Sequence, residues 1–329
     1  MLLVSTTRII PGRAVPSFLS GRYSAVKVRK KLYVTSEYLS VLFAGYAQEF
    51  YHGVADLRVM YRGQANAAWN PIPGVFRNDE DFLNEGFYIR EYERQMPQNS
   101  VGKSGIEILI VAQHYGMPTR LLDVTSNPLV ALYFACLPSR DDQDADGAVL
   151  QFLPAGFFSQ EDLACTVLAE YVRHYKLDLY LEEKWRADLC RIVSQTHSRF
   201  SADAHRAVDY MLSGEPIRVF FLPSYNNERI RAQEGAFLLF STPYIKNNDT
   251  SARDGRFLLP SEDGSDPLKN VGCKYIIPKD EKAAMLSQLD SIGINEARLF
   301  PDTEHQIKSI VETVRRVNKE YRESLARRP

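Results

Sequence analysis

An α+β fold, with strands and helices mixed along the chain, is predicted by three features of the sequence. The stretches GAVLQFLP (147–154), IRVFFLP (217–223), GAFLLFSTP (235–243) and CKYIIP (273–278) are short, rich in aromatic or β-branched residues and bounded by turn residues, as strands are. Residues 160–193 contain neither Gly nor Pro and interleave charged with apolar side chains, which is the pattern of amphipathic helices. Strands and helices do not strictly alternate, which argues against a doubly wound parallel sheet.

The elements follow in chain order. The first 35 residues have no clean periodicity and carry the basic run Lys27, Arg29, Lys30, Lys31, read as a solvated edge with a nucleic-acid contact as the alternative. Residues 36–50 have helical spacing, and DLRVMYRGQ (56–64) reads as a strand. A loop rich in Asn and Pro (65–78) leads to an amphipathic helix in NEGFYIREYERQMPQ (84–98) and a more buried one in GIEILIVAQHYG (105–116), which Gly116 and Pro118 stop. Asn127-Pro128 starts a further apolar helix through LVALYFAC, because proline suits a first helical turn. After an acidic loop and the strand at 147–154 comes the helical stretch from 159 to about 215, read as an inserted subdomain. Lys246–Asp266 is expected as a loop or flap, 281–293 as a helix, 294–302 as a link, and Glu304 onward as a charged helix.

Composition bounds the function. With 329 residues, 45% of them hydrophobic, the chain has enough apolar material for a sizeable core. Lys plus Arg (40) nearly cancels Asp plus Glu (41), so no global field draws a polyanion or an acidic membrane, and a nucleic-acid partner would need a local patch. Cys136, Cys165, Cys190 and Cys273 are far apart and lack His at ligand spacing; buried reduced thiols are expected, with no metal site. The N-terminal apolar run is broken by Arg8 and Pro11, which fits neither a signal peptide nor a membrane span, and a cytoplasmic location is expected. Neither GxGxxG after a strand nor GxxxxGK[ST] occurs.

Five blocks stand in order: YRGQ (61–64), W-x-x-x-P-x-x-F-R (69–77), AQHYGMPTRLLDVTSNPLVALYFAC (112–136), RAQEGAF (231–237) and INEARLFPD (294–302). Together they resemble the FRG domain over residues 36–305, interrupted by the helical stretch. That resemblance divides the chain into an N-terminal segment (1–35), a first core part (36–158), the insertion (159–215), a second core part (216–305) and a C-terminal helix (306–329).

Three of the blocks look like the split active site of Arg/Ser/Glu-type ADP-ribosyltransferases, which bind NAD without a Rossmann glycine loop. The resemblance implies a split-sheet core of that type. It implies that Arg62, with Gly63 and Gln64 beside it, holds NAD phosphate and ribose, a role that suits a planar guanidinium able to donate two parallel bonds. The alternative is an ion pair between Arg62 and Asp123. Thr125 and Ser126 would support the nicotinamide pocket with Phe134 on the following helix, and the alternative is helix capping by Ser126 or Asn127. Gln233 and Glu234 fall where the family's glutamate step is expected. Adjacent residues face opposite sides of an ideal strand, a departure from the transferase pattern, and FRG sequences commonly carry a second Gln at the Glu234 position. His114 is a candidate base or ribose ligand, Tyr115 a candidate stacking ring; both are also read as structural. Arg120 and Asp123 are expected to lock one another.

The implied activity is NAD-dependent ADP-ribosyl transfer by a toxin or phage-defence effector. Arg62, Ser126, Glu234 and Gln233 would act on NAD as substrate, the acceptor would be protein or nucleic acid, and an antitoxin or chaperone would be a partner. A non-catalytic module binding nucleotide, nucleic acid or protein, and an NAD glycohydrolase, are the alternatives.

Overall fold

The computed structural model describes residues 27–28, 35–39, 59–139, 145–154, 157–174, 182–212, 218–224, 227–241, 244–245, 256–257 and 271–301. The helix expected from Glu304, the part of the 36–50 helix after residue 39, residues 29–31 of the basic run and most of 246–266 lie outside the described residues.

Among the described residues the fold is mixed α+β. Eight strands form one sheet: β1 (Lys27–Val28), β2 (Met60–Gln64), β3 (Leu121–Thr125), β4 (Gly147–Phe152), β5 (Phe158–Ser159), β6 (Arg218–Leu222), β7 (Gly235–Phe240) and β10 (Val271–Ile277), in the order β1-β10-β4-β2-β3-β7-β6-β5. A separate antiparallel pair joins β8 (Tyr244–Ile245) to β9 (Arg256–Phe257). The outermost pairs of the large sheet, β1–β10 and β5–β6, are parallel, and the inner ones are antiparallel.

This sheet is two half-sheets joined at one point. β2 pairs with β4 along its whole length, from Met60–Phe152 to Gln64–Ala148. β3 pairs with β7 from Leu121–Leu239 to Thr125–Gly235. Between β2 and β3 the only ladder pair is Tyr61–Thr125. Beyond it, the helix Pro128–Cys136 lies directly on β2 at Gly63, where a β-carbon would sit 1.9 Å from the Ala131 carbonyl oxygen and 2.7 Å from the Ala135 nitrogen. Glycine therefore sets how closely helix and strand backbones approach.

The core follows the same division. Tyr61, Val149, Tyr275 and Ile277 pack with the Pro128–Cys136 helix and with Met285 and Leu289 of the helix Lys282–Ser291. Leu121, Val219, Phe221, Phe237 and Leu239 pack with the helices Asp79–Gln95, Gly105–His114, Leu163–His174 and Glu182–Thr196. A third cluster, including Met60, Leu122, Leu150, Phe152 and Leu238, runs beneath both halves. Strand pleating explains the partition, since neighbours such as Met60 and Tyr61, or Leu121 and Leu122, enter different clusters.

Local signals account for the helix starts that position the site. Asn78 accepts from the Asp81 amide at 2.7 Å, Glu107 reaches back to the Ser104 amide at 2.9 Å, and Asn127 accepts from the Leu129 amide at 2.9 Å with Pro128 in the first turn. The expected Arg120–Asp123 lock is replaced by a different pair. Arg120 forms a buried bidentate ion pair with Glu85, Nε to Oε1 at 2.8 Å, and also reaches the Phe240 carbonyl. Leu121 follows in β3 with its side chain buried, so the chain enters the strand with Arg120 turned into the core rather than along the turn. The four cysteines are free and buried, and burial pushes the Cys136 thiol up to about 12.

Candidate functional site

A cavity of about 230 Å³ opens where β2 and β3 part. Its lining comes from Tyr61, Arg62 and Gly63 of β2, Asp123, Val124 and Thr125 of β3, and Ile110, Gln113 and His114 at the end of the Gly105–His114 helix. Val130 and Phe134 of the Pro128–Cys136 helix, Phe237 of β7, and Asn227, Arg229, Ile230 and Gln233 complete it. The last group surrounds a short helix, Glu228–Ala232, that Asn227 caps by accepting from the Arg229 amide at 2.8 Å.

Arg62 is half-buried, and Nη1 donates to the Asp123 carbonyl oxygen at 2.7 Å. That bond occupies a main-chain acceptor which the split leaves without a ladder partner on the β2 side. No carboxylate pairs with Arg62 among the described residues, and its buried Nε has no partner there. Desolvation lowers the guanidinium from the usual arginine range, with the Asp123 charge opposing that shift. The ion pair expected as the alternative role is thus a bond to the Asp123 backbone. The Asp123 carboxylate instead accepts from Gln113 Nε2 at 2.8 Å, and Gln113 accepts in turn from the Thr119 hydroxyl.

The second group of expected residues sits where β3 meets β7. Thr125 Oγ1 donates to the Gln233 carbonyl oxygen at 2.7 Å and accepts from the Asn127 amide at 3.0 Å. The Ser126 amide donates to the Glu234 carbonyl oxygen at 3.1 Å. Asn127 Nδ2 donates to Glu234 Oε1 at 2.9 Å while Asn127 Oδ1 caps the helix, and Ser126 Oγ approaches Glu234 Oε2 at 3.4 Å. Capping falls to Asn127, leaving Ser126 beside the carboxylate.

Gln233 and Glu234 lie in the turn between the helix Glu228–Ala232 and β7 rather than in the strand. Strand alternation therefore does not govern them. Glu234 has φ of 47°, in the left-handed region, and is the one non-glycine residue with positive φ among those described. Gln233 faces the cavity, although its Nε2 donates to the Leu299 carbonyl oxygen at 3.0 Å.

Of the expected site residues, Arg62, Gly63, His114, Thr125, Phe134 and Gln233 share the cavity. Ser126 and Glu234 follow lining residues directly in the chain and hold each other, but are not part of the lining. Gln64 is buried with Oε1 unpartnered among the described residues, and Tyr115 is 66% exposed with its ring edge-on to His114 at 5.1 Å. Neither lines the cavity. Polar contributors that escaped the sequence reading as ligand groups include Gln113, Asp123, Asn227 and Arg229. The Arg229 guanidinium stacks on Phe300 at 4.6 Å, and Phe300 meets Phe134 edge-on at 6.1 Å. An Asn followed by Glu, in NER, is the capping signal that would have revealed the short helix.

Elsewhere, in the helical stretch after β5, Arg186 pairs with Asp209 and Arg191 with Asp188. Among the described residues no group of three His, Cys, Asp or Glu side chains is placed to hold a metal ion, and no helix is long and apolar enough to cross a membrane.

Residues 57–144 match the family model for the FRG domain. That span holds YRGQ, the Trp69–Arg77 block and the central block, while RAQEGAF and INEARLFPD lie beyond it. No curated protein and no solved structure matches the chain.

Proposed function

We propose that the split between β2 and β3 is an NAD site and that the protein is an ADP-ribosyltransferase acting on a macromolecule. The observation that carries this reading is Glu234. An acidic residue in a left-handed conformation, its carboxylate held by Asn127 and Ser126 next to a cavity that also contains Arg62, which pairs with no carboxylate among the described residues, is a costly arrangement. Strain of this kind concentrates at functional sites. The cavity, at about 230 Å³, is smaller than the roughly 300–1,000 Å³ of pockets that enclose a whole small molecule. It suits one end of a dinucleotide, the rest lying along the surface.

In this mechanism Arg62 donates to phosphate oxygens, a role open to its guanidinium because Nη1 alone is hydrogen-bonded among the described residues. Phe134 and the Thr125 strand end border the nicotinamide. The glycosidic bond of NAD breaks with its electron pair leaving on the ring nitrogen, which yields neutral nicotinamide. Positive charge then develops on the ribose, and the Glu234 carboxylate stabilises it because Asn127 has already fixed its direction. An acceptor nucleophile bonds to the anomeric carbon and gives its proton to that carboxylate. Protein and nucleic acid are both candidate acceptors, and water in the same position would make the enzyme a glycohydrolase. A toxin or phage-defence role, restrained by an antitoxin or chaperone, is consistent with such an activity.

The test is incubation with adenylate-labelled NAD and lysate, scoring nicotinamide release and label in protein, RNA and DNA. Glu234→Gln and Arg62→Ala are expected to lower release by roughly a hundredfold or more. Unchanged release in both variants would remove these roles. A second reading, a nucleotide-binding module without turnover, is favoured by Thr125, Asn127 and Gln233, whose polar groups are largely engaged within the protein. NAD that raises the melting temperature without releasing nicotinamide would select it.

A further inference from the structure

Asp123 is out of place for a residue in the middle of a central strand. Leu121, Leu122, Val124 and Thr125 around it are all buried, and it alone in β3 is exposed, into the cavity at the split. Its carboxylate is also held in one direction. Oδ1 accepts from Gln113 Nε2 at 2.8 Å, and Gln113 is fixed by the Thr119 hydroxyl, whose oxygen in turn accepts from the Leu121 amide at 3.2 Å. No second donor reaches this carboxylate among the described residues, so Oδ2 keeps its full accepting capacity. Arg62 is bonded to the backbone of the same residue through Nη1 alone and pairs with no carboxylate among the described residues.

An oriented acceptor beside an underused cationic donor is a two-part site. The donor suits an anion, and the carboxylate suits hydroxyl groups, which it can take in pairs because each oxygen has two lone pairs. Carboxylates bind the vicinal hydroxyls of nucleotide riboses in this way in unrelated folds. We infer that Asp123 is a substrate-binding residue that accepts from the vicinal hydroxyls of a ribose phosphate whose phosphate lies on Arg62. The inference rests on the nucleotide reading of the cavity and extends it, because it assigns the cavity a selectivity for ribose over deoxyribose. It does not require that the bound nucleotide react.

Ribose phosphate is common to both ends of NAD, so titration calorimetry with nicotinamide mononucleotide and with AMP distinguishes the two sources. Each is measured beside its dideoxy counterpart, on the wild type and on Asp123→Asn. Asparagine keeps the shape and an oxygen for Gln113, and the melting temperature without ligand reports whether the variant folds. The wild type is expected to bind at least one mononucleotide roughly ten- to a hundredfold more tightly than its dideoxy form. Asp123→Asn should lose that preference while binding the dideoxy form as the wild type does, a pattern that mere structural damage would not produce. Equal preference in both proteins, or no binding of either mononucleotide by the wild type, overturns the inference. Nicotinamide release that survives Asp123→Asn unchanged would sink this role and leave the transferase reading standing, whereas ribose-selective binding without any release would do the reverse.

Discussion

Along β3, the seam with β7 is hydrogen-bonded from Leu121 to Thr125, whereas the seam with β2 holds at Tyr61–Thr125 alone. The β7 seam is also fastened beyond both ends. At one end the Phe240 amide donates to the Arg120 carbonyl oxygen, and at the other the Ser126 amide donates to that of Glu234. The β2 seam has a helix at Gly63, a side chain on the Asp123 carbonyl, and buried polar atoms without partners among the described residues at Arg62 and Gln64. Buried polar groups are rarely left so. The closed seam supplies rigidity and the open one supplies unused hydrogen-bonding capacity. A site built across β3 draws on both, since a carboxylate held on one side can face a ligand held on the other.

The largest expected effect breaks the closed side. Glu85→Ala leaves Arg120 buried without its carboxylate, with the Arg120 side chain only 3% exposed. Removing one partner of a buried pair costs about 3–5 kcal/mol, so urea unfolding should shift by that amount. A cost under about 1 kcal/mol would mean that the ladder alone holds this end of the seam.

A smaller effect should come from the open side. In Gly63→Ala the new β-carbon meets the Ala131 carbonyl oxygen at 1.9 Å, and backbone atoms cannot swing away as a flexible side chain would. Strand and helix must separate, at about 1–3 kcal/mol as in other overpacked sites. Because the same shift moves Phe134 and Arg62 relative to each other, mononucleotide binding should fall more steeply than stability. Equal losses in the two measurements would indicate that the split is not the binding site.

These two seams also mark what the sequence made legible. The strands flanked by turn residues, the apolar helix after Asn127-Pro128 and the buried thiols follow from local patterns, and the structure has them at those places. Nothing local in YRGQ or LLDVT shows that two strands will pair at one residue and then part, because a helix elsewhere in the chain enforces the divergence. Arg120 was assigned to Asp123 for the same reason: spacing in sequence favoured a near neighbour, and Glu85, 35 residues away, was the partner. Asp123 reads in sequence as one polar residue in an apolar strand. Only the cavity and Gln113 give it a direction.

The smallest expected effect concerns the one place where the closed side is strained. Glu234 sits at φ of 47°, a conformation that costs a residue with a β-carbon about 1–2 kcal/mol. Glu234→Gly removes that cost, but it also adds roughly 0.5–1 kcal/mol of chain entropy to the unfolded state. It further loses the Asn127 contact to an exposed carboxylate, a contribution of about 0.2–1 kcal/mol in water. The terms nearly cancel, and the net change should stay within about 1 kcal/mol. Glu234→Ala keeps the strain and loses the contact, so it should be the less stable of the two by up to about 1.5 kcal/mol, the strain less the glycine entropy, read as a difference in denaturation midpoint at equal slope. Alanine that equals or exceeds glycine would show that the turn is relaxed and that its conformation carries no functional cost. If glycine wins while both variants release no nicotinamide, the carboxylate is kept at Glu234 against the preference of its own backbone, and function is the remaining reason for it to be there.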